Sequence, residues 1–431
     1  MAEDGVQWKE VQWPEASSYS FVELPSGTQF VESCSHNVAF DKDHVYVPAQ
    51  MADKNSLAIF RVDVSGRSPA EVYMHFKEGN TQGASLYPTL ANHDVLDDTL
   101  ASEALPFGSA LSNDGILYVC IFNKNMVVMI DLKGRRVLRK VEVPAPNDVC
   151  IDANDPWVSY VACGVWVEGL GELGVMSGGH LSMTLPSSKK WRTVNPTEGS
   201  VRRIRIAEND QVSTEVVAKG TKALAGVGVS QGKLWLAMLV NIDAVPLTSL
   251  APSLRPDKKE FQVWSGYDEK LAYLADNVAT YDESHIIVPC YRSLWRLLAK
   301  LSENGCFAYL GFLGAKACSG CIKLQKSSAT ADEVFSAEDY PVDLTDPSVA
   351  PELHEGGVFP HIHIVIVNTA SKKSSNTSIM LPKAMVDKGG AADFDGHVTH
   401  VEHVNNKLVC VNFLKMRLLI LSDSVLGGNV P

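Results

Sequence analysis

The stretch that decides the fold is LADNVATYDESHIIVPC, residues 274–290. A polar pair, Asp276 and Asn277, precedes four alternating residues, then a tight turn, then an apolar β-prone run. Alternation of this kind, broken by turn residues, is typical of two short strands joined as a hairpin. A carboxylate beside an apolar run must be paired, metal-bound or solvated, so the head of this hairpin needs a partner.

The same unit occurs six times along the chain. The other copies are SHNVAFDKDHVYVPA from Ser35, PFGSALSNDGILYVCIF from Pro106, PNDVCIDANDPWVSYVAC from Pro146, LAGVGVSQGKLWLAML from Leu224 and GHVTHVEHVNNKLVCVNF from Gly396. Several copies continue into a further β-prone run, which makes sheets of three to four strands. Radially arranged sheets bury both faces and leave only short edges, so the repeat predicts an all-β protein, a six-bladed β-propeller.

The uneven spacing of the copies predicts the domain organisation. Residues 1–29 are expected to form an N-terminal extension, and residues 30–425 a single propeller domain. Two long insertions are expected, one at about 168–200 within blade three and one at about 302–395 between blades five and six.

Composition limits the classes of function. The net charge is -12, and Lys and Arg form no long cluster, so the electrostatic footprint of a nucleic-acid-binding protein is missing. The polar, acidic start does not resemble a secretory signal. No stretch approaches 18 apolar residues, so we expect no transmembrane helix. We therefore expect a cytoplasmic protein, monomeric or weakly oligomeric, that acts on a small molecule.

The polar heads of the six copies are expected to meet at one end of the propeller axis, because the inner strand of each blade lines the channel. They supply His36 with Asn37, Asn147 with Asp148, Asp276 with Asn277, and His397 with His400 and His403 further along. Oxygen ligands from several blades suit Ca²⁺, and added imidazoles suit a softer divalent ion. The alternative is that Asp and Asn only cap the turns into these strands.

The order of these motifs resembles the paraoxonase/arylesterase, gluconolactonase and strictosidine synthase-like superfamily of six-bladed propellers, from about residue 30 to 421. PNDVCID, LAGVGVSQGKLWLA, LADNVATYD and GHVTHVEHVNNKLVCVNF carry the resemblance. It implies a channel Ca²⁺ held by Asn147, Asp276 and Asn277 and supported by Asp148. His36 stands where the family has an acidic first-blade ligand, and Ala225 where it has a fourth-blade Asn. The resemblance thus leaves three outcomes open: Ca²⁺ completed by water, a softer divalent metal using His36, or a lost metal.

The resemblance also bears on catalysis. The positions of the paraoxonase histidine dyad hold Phe107 and Lys124, so that dyad is not inherited. A channel histidine could instead deprotonate a metal-activated water for attack on a small, largely apolar ester or lactone. The catalytic candidates are His397, His400, His403 and Glu402; His36 is also a candidate base, and Glu402 or His403 occupies the region of the strictosidine synthase-like carboxylate. Two alternative hypotheses for the function remain open. The protein is either a non-catalytic propeller that binds a small molecule or a protein, or a metal-free condensing or cyclising enzyme.

Overall fold

The computed structural model describes residues 6–53, 55–79, 94–163, 199–207, 211–221, 224–238, 241–256, 258–266, 272–293, 306–308, 324–326, 361–382, 396, 398–412 and 416–427. These residues are almost entirely β and form six blades of a propeller, as the sequence predicts. Helix within the described ranges is limited to four short 3-10 segments, Ala16–Ser18, Phe122–Lys124, Leu247–Ser249 and Asp423–Leu426. No helix in this part of the chain is long and apolar enough to cross a membrane.

Blades two, three and four are regular four-stranded antiparallel sheets, each built from consecutive strands. Blade two contains Pro106–Leu111, Ile116–Ile121, Met126–Asp131 and Arg136–Glu142. Blade three contains Pro146–Asp152, Asp155–Cys163, Gly199–Ile206 and Val212–Thr221. Blade four contains Leu224–Ser230, Lys233–Met238, Asn241–Pro246 and Gln262–Ser265. In each, the strand that carries the polar head is the innermost.

Blade one has a broken inner strand. Its strands are Thr28–Val31, Ser35–Asn37, Asp41–Met51, Leu57–Asp63, Glu71–Lys77 and Asp94–Leu96. Both of the first two pair with Asp41–Met51, so residues 32–34 lie between two inner segments. This interruption places Glu32 beside the axis.

Blade five also has a divided inner strand, and it contains part of the second predicted insertion. Its strands are Ala272–Ala275, Ala279–Asp282, His285–Ser293, His361–Asn368 and Ser374–Met380. Residues 361–380 fall within the range expected to form an insertion between blades five and six, and they contribute the third and fourth strands of blade five. A separate two-stranded hairpin, Cys306–Ala308 with Leu324–Lys326, lies within the predicted range.

Two strands from the range expected to form an N-terminal extension, residues 1–29, complete blades five and six. Blade six contains His400–Val404, Lys407–Asn412, Arg417–Ser422 and, as its outer strand, Tyr19–Glu23. Lys9–Val11 adds in parallel to the outer edge of blade five. The last blade is thus closed by the beginning of the chain.

Among the residues that the structure describes, the core consists of six hydrophobic clusters, one between each pair of neighbouring blades. The second strand of blade six shows why: Leu408 and Cys410 face blade five, whereas Val409 and Val411 face blade one. Because successive side chains of a strand point to opposite faces, each apolar strand contributes to two clusters. The blades are therefore held at fixed angles around the axis.

Candidate functional site

Seven polar residues from four blades form what we call the axial cluster. Its members lie at or near the heads of the inner strands: Glu32 of blade one, Asn147 and Asp148 of blade three, Asp276 and Asn277 of blade five, and His400 and Glu402 of blade six. Six of the seven are buried, with Asp276 1% and Asn277 0% exposed. The seventh, Glu402, has a side chain that is 16% exposed.

Glu32 is the first-blade acid that the sequence analysis did not find. It is 3% exposed. Burial raises its pKa well above the ordinary value, and the negative charges of Asp276 and Asp148 raise it further. A charge effect of this kind acts over short distances, so the buried carboxylates from blades one, three and five lie within electrostatic range of one another.

Asp148 is held by backbone donors. Its Oδ1 accepts the N–H of Val149 at 2.8 Å, and its Oδ2 accepts the N–H of Val227 in blade four at 2.9 Å. Burial raises the pKa of Asp148 to about 7, against the lowering effects of these two hydrogen bonds and of His400. The negative charge of Asp276 raises the pKa of Asp148 as well. With both oxygens engaged, Asp148 is suited to supporting a site.

The two amides of the cluster differ in their contacts. Asn147 donates from Nδ2 to the carbonyl of Leu224 at 3.4 Å. Neither Oδ1 nor Nδ2 of Asn277 has a hydrogen-bond partner among the described residues, although the side chain is fully buried. An unsatisfied buried amide is costly, so it indicates a ligand or an ion at this position.

His400 and Glu402 form a pair on the inner strand of blade six. His400 Nε2 lies 3.1 Å from Glu402 Oε2, whereas His400 Nδ1 is buried and has no hydrogen-bond partner in the described part of the chain. His400 also lowers the pKa of Asp148, so the ring extends toward the carboxylates. An N–H bonded to Glu402 leaves the lone pair on Nδ1, which is the arrangement of a base.

The other predicted catalytic histidines are placed differently. His403 Nδ1 bonds the carbonyl of Tyr281 at 2.6 Å, and its Nε2 lies 3.2 Å from Asp423 Oδ2. Its ring also stacks on Tyr281 at 4.2 Å, so His403 joins blades five and six. His397 lies outside the described residues.

Phe107, Lys124 and His36 occupy the positions at which the resembled family has catalytic or metal-binding residues, and the structure shows what each contacts. Phe107 is 1% exposed and packs edge-on against Phe30 and Phe122, in the cluster between blades two and three. Lys124 lies 4.0 Å from Glu103. His36 is only partly buried, and its Nε2 has no partner among the residues described. Glu32, on the same blade, lies within range of the negative charges of Asp276 and Asp148.

A closed ring of contacts between blades fixes the cluster. Ser33 donates to Phe107 O at 2.9 Å, Asn277 donates from its backbone to Thr399 O at 3.4 Å, and Thr399 Oγ1 donates to Glu32 O at 2.8 Å. Asp148 joins blades three and four through Val227, as described above.

Two glycines complete the ring. A Cβ on Gly108 would lie 2.5 Å from the Cα of Asp148, and one on Gly226 would lie 2.6 Å from the Cα of Asn277. Because each glycine has no Cβ, the polar head of the next blade can lie directly against the glycine backbone. Ala225, at the predicted fourth-blade ligand position, lies beside Gly226 and is buried.

The residues of the cluster define which kind of ion it suits. No group of three or more His, Cys, Asp or Glu side chains within the described ranges is arranged to hold a metal ion by itself. An ion at the axis would therefore need amide oxygens together with carboxylates, a donor set that favours a hard cation over a soft one.

The fold and the cluster define a class of protein, a six-bladed propeller with a buried carboxylate, amide and histidine cluster at its axis. No family model matches the chain, and no curated protein sequence matches it. Solved structures of similar shape include Kuenenia stuttgartiensis hydrazine synthase, with 13% identity over 97% of this chain and 82% of that one and a TM-score of 0.44. A streptogramin B lyase structure is similar at 9% identity over 94% and 96%, TM-score 0.43. The WD40 repeats of RRP9 are similar at 10% over 96% and 99%, TM-score 0.43. Likenesses of this size carry no argument about what this chain does.

Proposed function

We propose that the axial cluster binds a hard divalent cation of the Ca²⁺ type and that the protein is a hydrolase of small esters or lactones. The observation that carries the proposal is the meeting of three buried carboxylates, Glu32, Asp148 and Asp276, from three blades. Buried like charges disfavour one another strongly unless a proton or a cation neutralises them. A divalent cation neutralises two of the three at once.

The donors fit such an ion. Glu32, Asn147, Asp276 and Asn277 would hold it, because they offer carboxylate and amide oxygens, and the amide of Asn277 has no partner in the described part of the protein. Asp148 would support it, because backbone N–H groups already bind both of its oxygens. When bound, the cation supplies Lewis acidity to a carbonyl group and lowers the pKa of a water molecule.

His400 is the base of this proposal. Glu402 holds the ring through Nε2 at 3.1 Å, which leaves Nδ1 to accept the proton of the attacking water. Glu402 also stabilises the imidazolium that results, as the carboxylate of a hydrolase triad does. The superfamily resemblance supports the proposal with a departure, since the base stands on blade six and not on blade two.

The metal part of the proposal is tested by elemental analysis of the purified protein, with its unfolding midpoint measured with and without chelator. We expect one divalent ion per chain, a lower midpoint after chelation, and loss of the ion in Asp276→Ala. A metal-free protein with no chelator effect, or full metal content in Asp276→Ala, would refute the site.

The catalytic part is tested on a panel of aryl esters and lactones. His400→Gln should lower kcat by about 10²-fold to 10⁴-fold, the usual contribution of a general base, with metal content unchanged. His44→Gln is a matched control, because His44 forms a similar pair outside the axial cluster. Its Nδ1 lies 3.0 Å from Asp41 Oδ1. A bound ion without turnover of any substrate would leave a propeller that the cation only stabilises.

A further inference from the structure

A small polar cleft lies between blades six and one, away from the axial cluster. Its volume is about 180 Å³, and its lining includes Ser17, Ser20, Ser65, Arg67 and Lys407. Ser20 belongs to the outer strand of blade six, and Ser65 and Arg67 to the turn after Leu57–Asp63 of blade one. Lys407 begins the second strand of blade six. The cleft is therefore formed where the N-terminal strand closes the propeller.

The two cations of the cleft have no acidic partner in the part of the chain that the structure describes. Neither Arg67 nor Lys407 forms a salt bridge among the described residues, whereas Arg61 pairs with Glu71 and Arg203 pairs with Glu215. In a chain of net charge -12, two unpaired cations from different blades at one cleft indicate an anionic ligand.

The hydroxyl and backbone groups of the cleft suit the same ligand. The Ser65 hydroxyl accepts the N–H of Arg67 at 3.4 Å and is itself hydrogen-bonded to the carboxylate of Asp63, so it fixes the turn that carries Arg67. The carboxylate of that turn, Asp63, is occupied by the N–H of Ser65 at 2.7 Å. Gly66, at φ +67°, brings the turn against Ser20, since a Cβ there would lie 1.8 Å from Ser20 Oγ. Donors thus converge from both walls.

We propose that this cleft binds the phosphoryl group of a small, soluble phosphate monoester. Arg and Lys provide charge-assisted hydrogen bonds to phosphate oxygens, and the hydroxyls of Ser17 and Ser20 provide further donors. The volume is below the roughly 300 Å³ at which pockets for whole small molecules begin. It therefore takes the oxyanion, and the rest of the ligand extends into solvent. The proposal is independent of the axial cation.

The test is calorimetric titration of the full chain with phenyl phosphate. We expect saturable binding that weakens at higher salt, and an increase in Kd of at least about tenfold in Arg67→Gln/Lys407→Gln. Lys133→Gln/Arg136→Gln is the matched control, because it removes the same charge elsewhere and should bind like the wild type. Binding should persist in Asp276→Ala, which separates this cleft from the axial site.

Three results would overturn the proposal. They are no saturable binding by the wild type, equal weakening in the two double variants, and binding to vesicles of anionic lipid without binding to phenyl phosphate. Circular dichroism establishes that each variant is folded, and Lys407→Gln alone replaces the double variant if that one does not fold.

Discussion

Gly226→Ala tests whether the close approach of blades four and five builds the axial cluster. The new Cβ would lie 2.6 Å from the Cα of Asn277 and 2.7 Å from the carbonyl oxygen of Asp276. Both are backbone atoms and cannot rotate away. Ordinary contact begins at 3.4 Å, so the head of blade five must move by about 0.8 Å, given how steeply repulsion rises at shorter distance.

Two losses should follow from this movement. Overpacking of a tight core costs about 1–3 kcal/mol, which urea unfolding of the chelated protein measures. Displacement of the ligands should weaken cation binding by about 10-fold to 100-fold, as changes in the support of metal ligands usually do, and calorimetry with Ca²⁺ measures that loss.

Gly79→Ala is the control for Gly226→Ala. Its Cβ would meet nothing nearer than Asp98 Oδ1 at 3.6 Å, which is ordinary contact. The reasoning fails if Gly226→Ala matches Gly79→Ala in both stability and cation affinity.

Three further predictions concern stability. The pKa of Asp148 in the folded protein is about 7, which is above its value in the unfolded chain. Between these two pKa values the native state binds a proton that the unfolded state has lost. Without cation, the free energy of unfolding should therefore fall by about 4 kcal/mol as pH rises from about 4 to 7. Urea unfolding of chelated protein across this range should give a falling slope that Asp148→Asn makes shallower, because Glu32, whose pKa is also raised, contributes the rest. A profile unchanged by that substitution would contradict it. Ser109→Ala should cost about 1–3 kcal/mol in the same assay, because Ser109 bonds the buried hydroxyls of Ser33 at 3.0 Å and Ser35 at 2.6 Å; a cost near zero would show that the network is dispensable. Trp8→Ala should lower the free energy of unfolding by about 2–3 kcal/mol and expose the N-terminal strand to protease, because the ring centroids of Trp8 and Tyr273 lie 4.7 Å apart. Unchanged proteolysis would contradict that role.

The propeller could be predicted because the first two strands of each blade are close together in the sequence. The inner and second strands of every blade are separated by a short turn, so alternation and turn residues appear within one short stretch, as in residues 274–290. Asp276 and Asn277 stand out in the same way, as polar residues ahead of an apolar strand.

The closure of the propeller could not be predicted in this way. Lys9 pairs with Thr377, and Tyr19 pairs with Leu421, so the partners lie at opposite ends of the chain. Neither N-terminal strand carries a motif, and strands of three to five residues have no distinctive periodicity. Their place depends on long-range pairing alone.

Glu32 was missed for a different reason. The pair His36–Asn37 resembles the heads of the other blades, so it fixes the apparent alignment of blade one. In the structure the inner strand is broken between Val31 and Ser35, and the carboxylate lies in the break. A repeat pattern assumes an unbroken strand, and Glu32 occupies the irregularity.

The most direct test of the axial site is Ca²⁺ titration of Glu32→Gln beside His36→Gln, read as ions bound per chain. Loss of binding in Glu32→Gln, with one ion retained in His36→Gln, is the result expected if Glu32 and Asp276 hold the cation together with the amides of Asn147 and Asn277. Full binding by Glu32→Gln, or loss in His36→Gln alone, would contradict the axial cluster as the cation site.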